Sequence, residues 1–492
     1  MQRIFSGKRL VALFLLGAAA AIASRAQSFT TLVNFTWANG GDPYGSGLVQ
    51  GVDGNLYGTT TYGGGCSFND LGCGSVFKMT PDGTLTTLHF FTGPDGAFPY
   101  AGLFLARDGN FYGTTSAGGA NCASSEYCGG TVFKITRAGD LTTLYNFCSQ
   151  VNCADGSQPS SGLIQAMDGN LYGTTANGGQ VSCSLAEGCG TVFSITTGGT
   201  LTTLYNFSGY VDPLGTLVQG PKGDLYGTTL LGGTFGFGMI FWLTQDGQQE
   251  KTLYSFCSQP SCADGSFPAA GLILATDGNL YGTTEEGGNA AACDGGCGTI
   301  FRITPRGALT TLYSFAATDG FDPAGGLRQA TDGNLYGTTV EGGYEYLCPG
   351  GCGTLFEITL GGALTTLYSI TDFSEASDLG APLVQATNGV FYGTSQAGGS
   401  DGAGTVFSLA TGLGPFVKTI SHSGAVGAFV RILGYNLTGT TSVTFNGTAA
   451  VFTVVSGSEI TTTVPAGATT GTVEAVTPNG TLSSNVPFEV LP

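Results

Sequence analysis

The sequence predicts an all-β protein: a seven-bladed β-propeller whose ring is closed by the N-terminal strand, followed by a small β-sandwich. Three observations predict it. A unit built round Gly-Asn-Leu-Tyr-Gly-Thr-Thr recurs seven times, with tyrosines at Tyr57, Tyr112, Tyr172, Tyr226, Tyr281, Tyr336 and Tyr392 and spacings of 54 to 60 residues. Each unit holds four short runs of strand character separated by turn signals, and no helical periodicity. A run matching the unit's last strand stands alone before the first unit, and the seventh unit lacks its own.

The chain starts with Arg3, Lys8 and Arg9, then a 14-residue apolar run from Leu10 to Ala23, then Ser24-Arg25-Ala26. A basic start, a short apolar centre and small residues at the cleavage site predict an export signal over 1–26, removed after Ala26. Fourteen residues are too few to span roughly 30 Å of hydrocarbon, and no second apolar run of spanning length follows, so no transmembrane segment is expected after cleavage.

The third unit shows the pattern of all seven. Gly162-Leu-Ile-Gln-Ala166 reads as a first strand and Asp168-Gly-Asn170 as a hairpin turn. The second strand is Leu171-Tyr-Gly-Thr-Thr175, and a variable glycine-rich loop leads to the third, Gly190-Thr-Val-Phe-Ser-Ile-Thr196. A Gly-Gly turn leads to the fourth, Leu201-Thr-Thr-Leu-Tyr-Asn-Phe207. Four strands in about 55 residues suit a propeller blade rather than the shorter coil of a solenoid. Phe29-Thr-Thr-Leu-Val-Asn-Phe35 matches the fourth strand, and the seventh unit stops at Thr405-Val-Phe-Ser-Leu409. Pairing the two completes the last blade and removes both sheet edges, so the propeller runs from 27 to 411. Gly412-Leu-Gly-Pro415 reads as a linker. Residues 416–492 hold no Cys and no Asp, and their short alternating runs, such as Ala428-Phe-Val-Arg-Ile-Leu433 and Glu459-Ile-Thr-Thr-Thr-Val464, predict a small β-sandwich.

Composition excludes several functions. There are 85 glycines in 492 residues, but 41% hydrophobic and only 10% charged residues argue for packed cores, not disorder. Fifteen basic against 33 acidic residues give a net charge of -18, and loss of the signal makes it -22. That disfavours nucleic acid and anionic membranes as partners. Two histidines leave no Ser-His-Asp set and no histidine metal cluster. His89 stands where other fourth strands carry Tyr145, Tyr205, Tyr254, Tyr313 and Tyr368, which makes it a packing substitute. No catalytic residue is assigned. The repeated tyrosines read as core, and with only Trp37 and Trp242 present, aromatic platforms for sugars look thin.

Fourteen cysteines form seven neighbouring pairs: Cys66/Cys73, Cys122/Cys128, Cys148/Cys153, Cys183/Cys189, Cys257/Cys262, Cys293/Cys297 and Cys348/Cys352. Five pairs lie between second and third strands and two between a fourth strand and the next unit. The two loop classes occur independently, so each pair has to close on itself. In an exported chain this predicts seven local disulfides, each restricting the unfolded chain by about 2 kcal/mol in the loop-entropy account. Thiolate metal sites are the competing reading, but they need four ligands. In a meander both loop classes leave the same end of the blade. All the pairs therefore fall on one face, opposite the tight Asp-Gly-Asn and Gly-Gly hairpins. Long stapled loops on a rigid scaffold suit a binding face.

An aspartate stands in the loop entering each first strand: Asp42, Asp95, Asp155, Asp212, Asp264, Asp319 and Asp378. Two readings stand. They cap turns, or they form a ring of carboxylates round the channel mouth that takes Ca²⁺, with Asp95, Asp155, Asp264 and Asp319 as its candidate ligands. No other cofactor is expected.

The unit Gly-Leu-Ile-Gln-Ala-x-Asp-Gly-Asn-Leu-Tyr-Gly-Thr-Thr, with Gly-Thr-Val-Phe-x-Ile-Thr and Leu-Thr-Thr-Leu-Tyr-x-Phe, resembles the GloVer (Gloeo_Verruco) tandem repeat of exported bacterial proteins over residues 28–411. The strand order is also similar to propellers of the NHL type. Ile420-Ser-His-Ser-Gly-Ala-Val-Gly427, Gly434-Tyr-Asn-Leu437, Val443-Thr-Phe-Asn-Gly447 and Val464-Pro-Ala-Gly-Ala-Thr-Thr-Gly-Thr472 resemble an IPT/TIG domain over 416–492. That resemblance implies an immunoglobulin-like fold and a spacer or binding module. The expectation is a secreted, periplasmic or cell-surface monomer, non-enzymatic, that binds an extracellular carbohydrate or protein through its stapled loops. The alternatives are a polysaccharide hydrolase or lyase using carboxylates, and a purely structural surface protein.

Overall fold

The computed structural model describes residues 27–492 apart from 46, 67–70, 122–128, 180–188, 290, 344–347 and 349. The expected signal segment and Cys122, Cys128 and Cys183 lie outside the described residues. Among the described residues there is no α-helix, and no helix is long and apolar enough to cross a membrane.

Residues 28–410 form seven four-stranded antiparallel sheets, each built from strands consecutive in the chain except the last. In the third sheet the strands are Ile164–Gln165, Leu171–Thr175, Thr191–Ile195 and Leu201–Asn206, with Leu171 opposite Ile195 and Thr175 opposite Thr191. The second strand is buried throughout and the third almost so, whereas the first and fourth are mostly half-buried, with Thr202 of the fourth exposed. A bulge between Val192 and Phe193 recurs at the matching place of every sheet and sharpens its twist.

The first strand is shorter than the sequence pattern suggests, two residues in place of five. Ala166 already belongs to the hairpin turn, bonding Asn170 and Gly169, and the Gly162 N–H donates to Thr216 Oγ1 of the next sheet at 3.2 Å.

The second-strand glycine explains itself in the packing. A Cβ on Gly173 would meet Phe193 Cζ at 2.7 Å and Leu163 Cδ2 at 2.9 Å. Phe193 is fully buried, and the same Gly–Phe contact is made in all seven sheets. The apolar clusters lie between sheets: Tyr172 and Val192 of the third pack with Leu225 and Phe241 of the fourth.

The succession of sheets closes on itself. Ser28–Asn34 pairs antiparallel with Thr405–Ala410, Thr31 opposite Phe407, and completes the seventh sheet. Val33 and Phe35 pack with Phe77 of the first sheet and Val406 of the seventh. Two further ties repeat from sheet to sheet. A second-strand threonine donates to a carbonyl of the following sheet, as Thr174 does to Pro213, and Thr394 of the seventh donates to Pro43 of the first. A first-strand glutamine side chain accepts an N–H from the preceding sheet, Gln165 from Arg107 and Gln219 from Met167. Gln50 accepts likewise from Thr387, joining the first sheet to the last at 3.0 Å. The sequence reading passed over this glutamine belt.

Residues 418–491 form two four-stranded sheets and a parallel pair, Ser423–Ala425 with Glu489–Leu491, with a core of Val430, Ile432, Val443, Phe445, Ile460, Val473 and Phe488. They rest on the Asp-Gly-Asn hairpin end of the repeat sheets. Ser458 Oγ donates to the Val52 carbonyl at 2.8 Å, Phe416 N–H donates to Thr387, and Arg431 lies against Gly109.

Five disulfides join Cys66 to Cys73, Cys148 to Cys153, Cys257 to Cys262, Cys293 to Cys297 and Cys348 to Cys352. Cys189 is also disulfide-bonded, and no described cysteine is free. Each of these five bridges closes its own loop at the end away from the C-terminal sheets.

Candidate functional site

The loops entering the first strands hold two different aspartate positions, which the sequence reading merged. Asp95, Asp155, Asp264 and Asp319 occupy the earlier one, and there they cap turns. Asp264, fully buried, accepts from Tyr254 Oη, Ser258 N–H, Ser258 Oγ and Gln259 N–H at 2.8–3.1 Å. Asp155 makes the same set with Tyr145, Ser149 and Gln150. Asp319 accepts from Tyr313 and Ala316. Asp95 accepts from Thr92, and His89 Nε2 takes the tyrosine's place at 2.8 Å. Burial alone would push Asp95 up, but His89 and Thr92 hold its carboxyl below the usual range. With their oxygens committed to these donors, the four candidate Ca²⁺ ligands are turn caps. Among the described residues no three His, Cys, Asp or Glu side chains stand close enough to share an ion.

The later position, three residues on, is occupied by Asp42, Phe98, Gln158, Asp212, Phe267, Asp322 and Asp378, and six of the seven precede a proline. All seven adopt a positive φ, from 49° to 60°. Non-glycine residues rarely sit there, and aspartate tolerates it better than most. Each carbonyl is held by the N–H of a residue just past the second strand, as Asp322 by Val340 and Phe267 by Glu285, at 2.9–3.0 Å. Asp319-Gly-Phe-Asp322-Pro323 carries both positions and was the signal that could have separated them.

This later ring is where carboxyls converge. Burial pushes Glu285 up to about 8, with Asp322 and Glu286 adding to it. Asp322 rises to about 6 through burial and then Glu341, Glu286 and Asp378. Asp212 rises to about 6 through burial. Asp42 also reaches about 6, burial and Asp378 outweighing the Gln396 side chain. Asp42 Oδ1 and Asp322 Oδ1 are buried with no hydrogen-bond partner among the described residues. After burial, the charges of Glu285, Asp322 and Asp42 push the Tyr44 hydroxyl up. Groups of the first, fifth, sixth and seventh sheets thus act on one another at this end.

Beside it lies an aromatic patch. Tyr44 meets Tyr100 edge-on at 6.0 Å, Trp37 lies 6.5 Å from Tyr62, and Tyr62 meets Phe98 at 5.6 Å. The expectation of thin aromatic platforms counted tryptophans and missed these tyrosines. Among the described residues, every large apolar side chain that the repeat sheets expose lies in the loops at this end, Tyr44, Tyr210, Phe235 and Phe373 among them. At neutral pH this end holds a mostly protonated Glu285 beside mostly ionised aspartates. It offers donors and acceptors together, next to apolar ring faces.

Those carboxyls make stability pH-dependent. Glu285 keeps its proton to about pH 8 in the fold but has an ordinary value of 4.5. Between these values the folded state binds more protons, so the Glu285 contribution falls as pH rises. Glu285→Gln is expected to melt higher than the parent at pH 8.5, with the gap shrinking toward pH 5. A gap independent of pH in thermal unfolding would contradict the assignment.

The family described as the Gloeobacter/Verrucomicrobia repeat matches residues 65–293, 182–386 and 261–455. The chain belongs to the Gloeobacter/Verrucomicrobia repeat family. The matched ranges of this repeat family cover most of the sheets described above and run into the C-terminal ones. Comparison with curated proteins finds no match. Among solved structures, a fungal alcohol oxidase aligns at 15% identity and TM-score 0.46, covering 92% of this chain and 98% of its own. An oligogalacturonate lyase aligns at 11% and 0.44, covering 78% and 90%. A gluconolactonase of Xanthomonas campestris aligns at 12% and 0.38, covering 80% and 92%. No site is carried over from them to this repeat protein.

Proposed function

We propose that the protein is exported and binds a hydroxyl-rich extracellular ligand, a polysaccharide, on the loop face of a closed seven-bladed β-propeller. Residues 27–411 form the propeller, and residues 416–492 form an immunoglobulin-like IPT/TIG domain seated on its other face. The reading rests on one observation. Among the described residues the repeat sheets confine their exposed large apolar side chains to the loop end, the end that also carries the coupled carboxyls Asp42, Glu285 and Asp322 with Tyr44 beside them. Sugars present hydroxyls to acids and carboxylates, and C–H faces to aromatic rings. The basic and apolar start of the chain supports export, as does the number of disulfides.

A specific observation favours a second reading. Glu285 holds a proton beside Asp322, as a general acid beside a carboxylate would. Incubating the purified protein with a panel of plant, algal and cell-wall polysaccharides separates the two. Retention of one polysaccharide with unchanged chain length is the expected result. New reducing ends or unsaturated uronate absorbance would establish the hydrolase or lyase. Retention of none would overturn the proposal.

A further inference from the structure

A cavity of about 490 Å³ lies where the C-terminal sheets meet the repeat sheets. Turns of three repeat sheets wall it, with Asp53 and Asn55 from the first, Arg137 from the second and Asn388 from the seventh. Opposite stand two segments of the C-terminal sheets, Gly434-Tyr-Asn436 and Val455-Ser-Gly-Ser-Glu459. Ser458 fixes the two sides together. Its Oγ donates to the Val52 carbonyl at 2.8 Å, and a Cβ on Gly54 would lie 3.3 Å from its own Cβ. The cavity therefore exists only while the C-terminal sheets are docked.

Its polar lining is held in place but not used up. Asp53 Oδ2 accepts from Asn55 Nδ2 and Tyr57 Oη, each at 2.8 Å, which leaves Asn55 Oδ1 without a partner among the described residues. Glu459 is 3% exposed and pairs with Arg431 through Oε1, yet its Oε2 has no hydrogen-bond partner among the described residues. The side chains of Arg137, Tyr435 and Asn436 make no hydrogen bond or ion pair among them either. Two carboxylates, Asp53 and Glu459, stand against two guanidiniums, Arg137 and Arg431, so the site has no net formal charge. A phosphate would meet the carboxylates and a metal ion the guanidiniums. A neutral ligand with hydroxyls meets donors and acceptors together, and the half-exposed Tyr435 ring offers a face for its C–H groups.

We infer that this junction cavity binds a free neutral disaccharide, with Arg137, Asn436 and Glu459 Oε2 on its hydroxyls and Tyr435 against its ring. The volume falls within the range of about 300–1,000 Å³ that encloses one small molecule, which suits a disaccharide and not a run of polymer. A sugar bound there touches both parts of the chain and stabilises their docking. The site lies at the far end from the loop face and does not rest on the polysaccharide reading.

Calorimetric titration with maltose, cellobiose and lactose tests it, with diglycine as a zwitterion for comparison. The parent is expected to bind one of the three sugars and not diglycine. Arg137→Met and Tyr435→Ala each remove one unpartnered group. Each is expected to weaken that binding at least about tenfold, as the loss of an anchor does. Both side chains are exposed, so the melting temperatures without sugar should match the parent's. Tyr44→Ala with Tyr210→Ala, at the loop end, is expected to bind the sugar as the parent does, which keeps this result separate from that of the polysaccharide screen. Binding of none of the three sugars, or of diglycine alone, would overturn the inference. So would unchanged affinity in either junction variant, or a loss confined to the loop-end variant.

Discussion

Removal of residues 27–36 is expected to abolish the cooperative, monomeric fold. The segment supplies a full strand to the seventh sheet and carries Phe35, fully buried against Phe77 with ring centroids 5.3 Å apart. It also carries Val33, and Phe29 stacked on Tyr368 at 4.6 Å. Loss of a buried phenylalanine costs about 3–5 kcal/mol and a buried valine about 2 more. A domain has about 5–15 kcal/mol in all. Deletion would also bare the edge strand Thr405–Ala410, a template for intermolecular pairing. Gel filtration and thermal unfolding of protein made without 1–26 should show aggregates or a collapse of the melting temperature. A monomer as stable as the parent would contradict closure by the N-terminal strand.

Phe193→Ala is expected to lower stability by about 3–5 kcal/mol. Phe193 is fully buried, packs edge-on with Phe147 at 5.2 Å, and fills the space that Gly173 leaves. Gly173→Val approaches the same contact from the other side. Its side chain has nowhere to go, because the obstructing Phe193 ring is itself enclosed, and overpacking typically costs about 1–3 kcal/mol. Ser194→Ala, one residue along and half-buried, should stay within about 0.5 kcal/mol of the parent. Urea unfolding of the three variants checks the order. Phe193→Ala within about 1 kcal/mol of the parent would contradict the packing described.

Much of this was legible because each repeat states the same contacts again. The recurring Gly and Phe, the lone strand at Phe29 and the short cysteine spacings are local signals whose meaning multiplies with copy number. The aspartates misled for the same reason. Aligning all seven as one ring hid a three-residue offset that decides whether a carboxyl caps a turn or faces the opening. Asp95 and Asp322 look alike in sequence and differ in backbone, since only the latter sits at positive φ. The glutamine belt was visible as Gln50, Gln165 and Gln219, but its role depends on an N–H of a neighbouring sheet. Docking of the C-terminal sheets through Ser458 and Val52, 406 residues apart, leaves no pattern in the chain.

The loop face is tested most directly by the affinity of one polysaccharide, that retained in the screen, for two variants. Tyr44→Ala with Tyr210→Ala removes two exposed rings from the loop end, and Tyr435→Ala removes one from the C-terminal sheets. All three side chains are about half exposed, so folding should survive, as melting temperatures will show. The loop-end variant is expected to bind at least about tenfold more weakly, the usual cost of losing aromatic anchors, and Tyr435→Ala to bind as the parent does. Undiminished binding by a folded loop-end variant, or loss confined to Tyr435→Ala, would contradict the account.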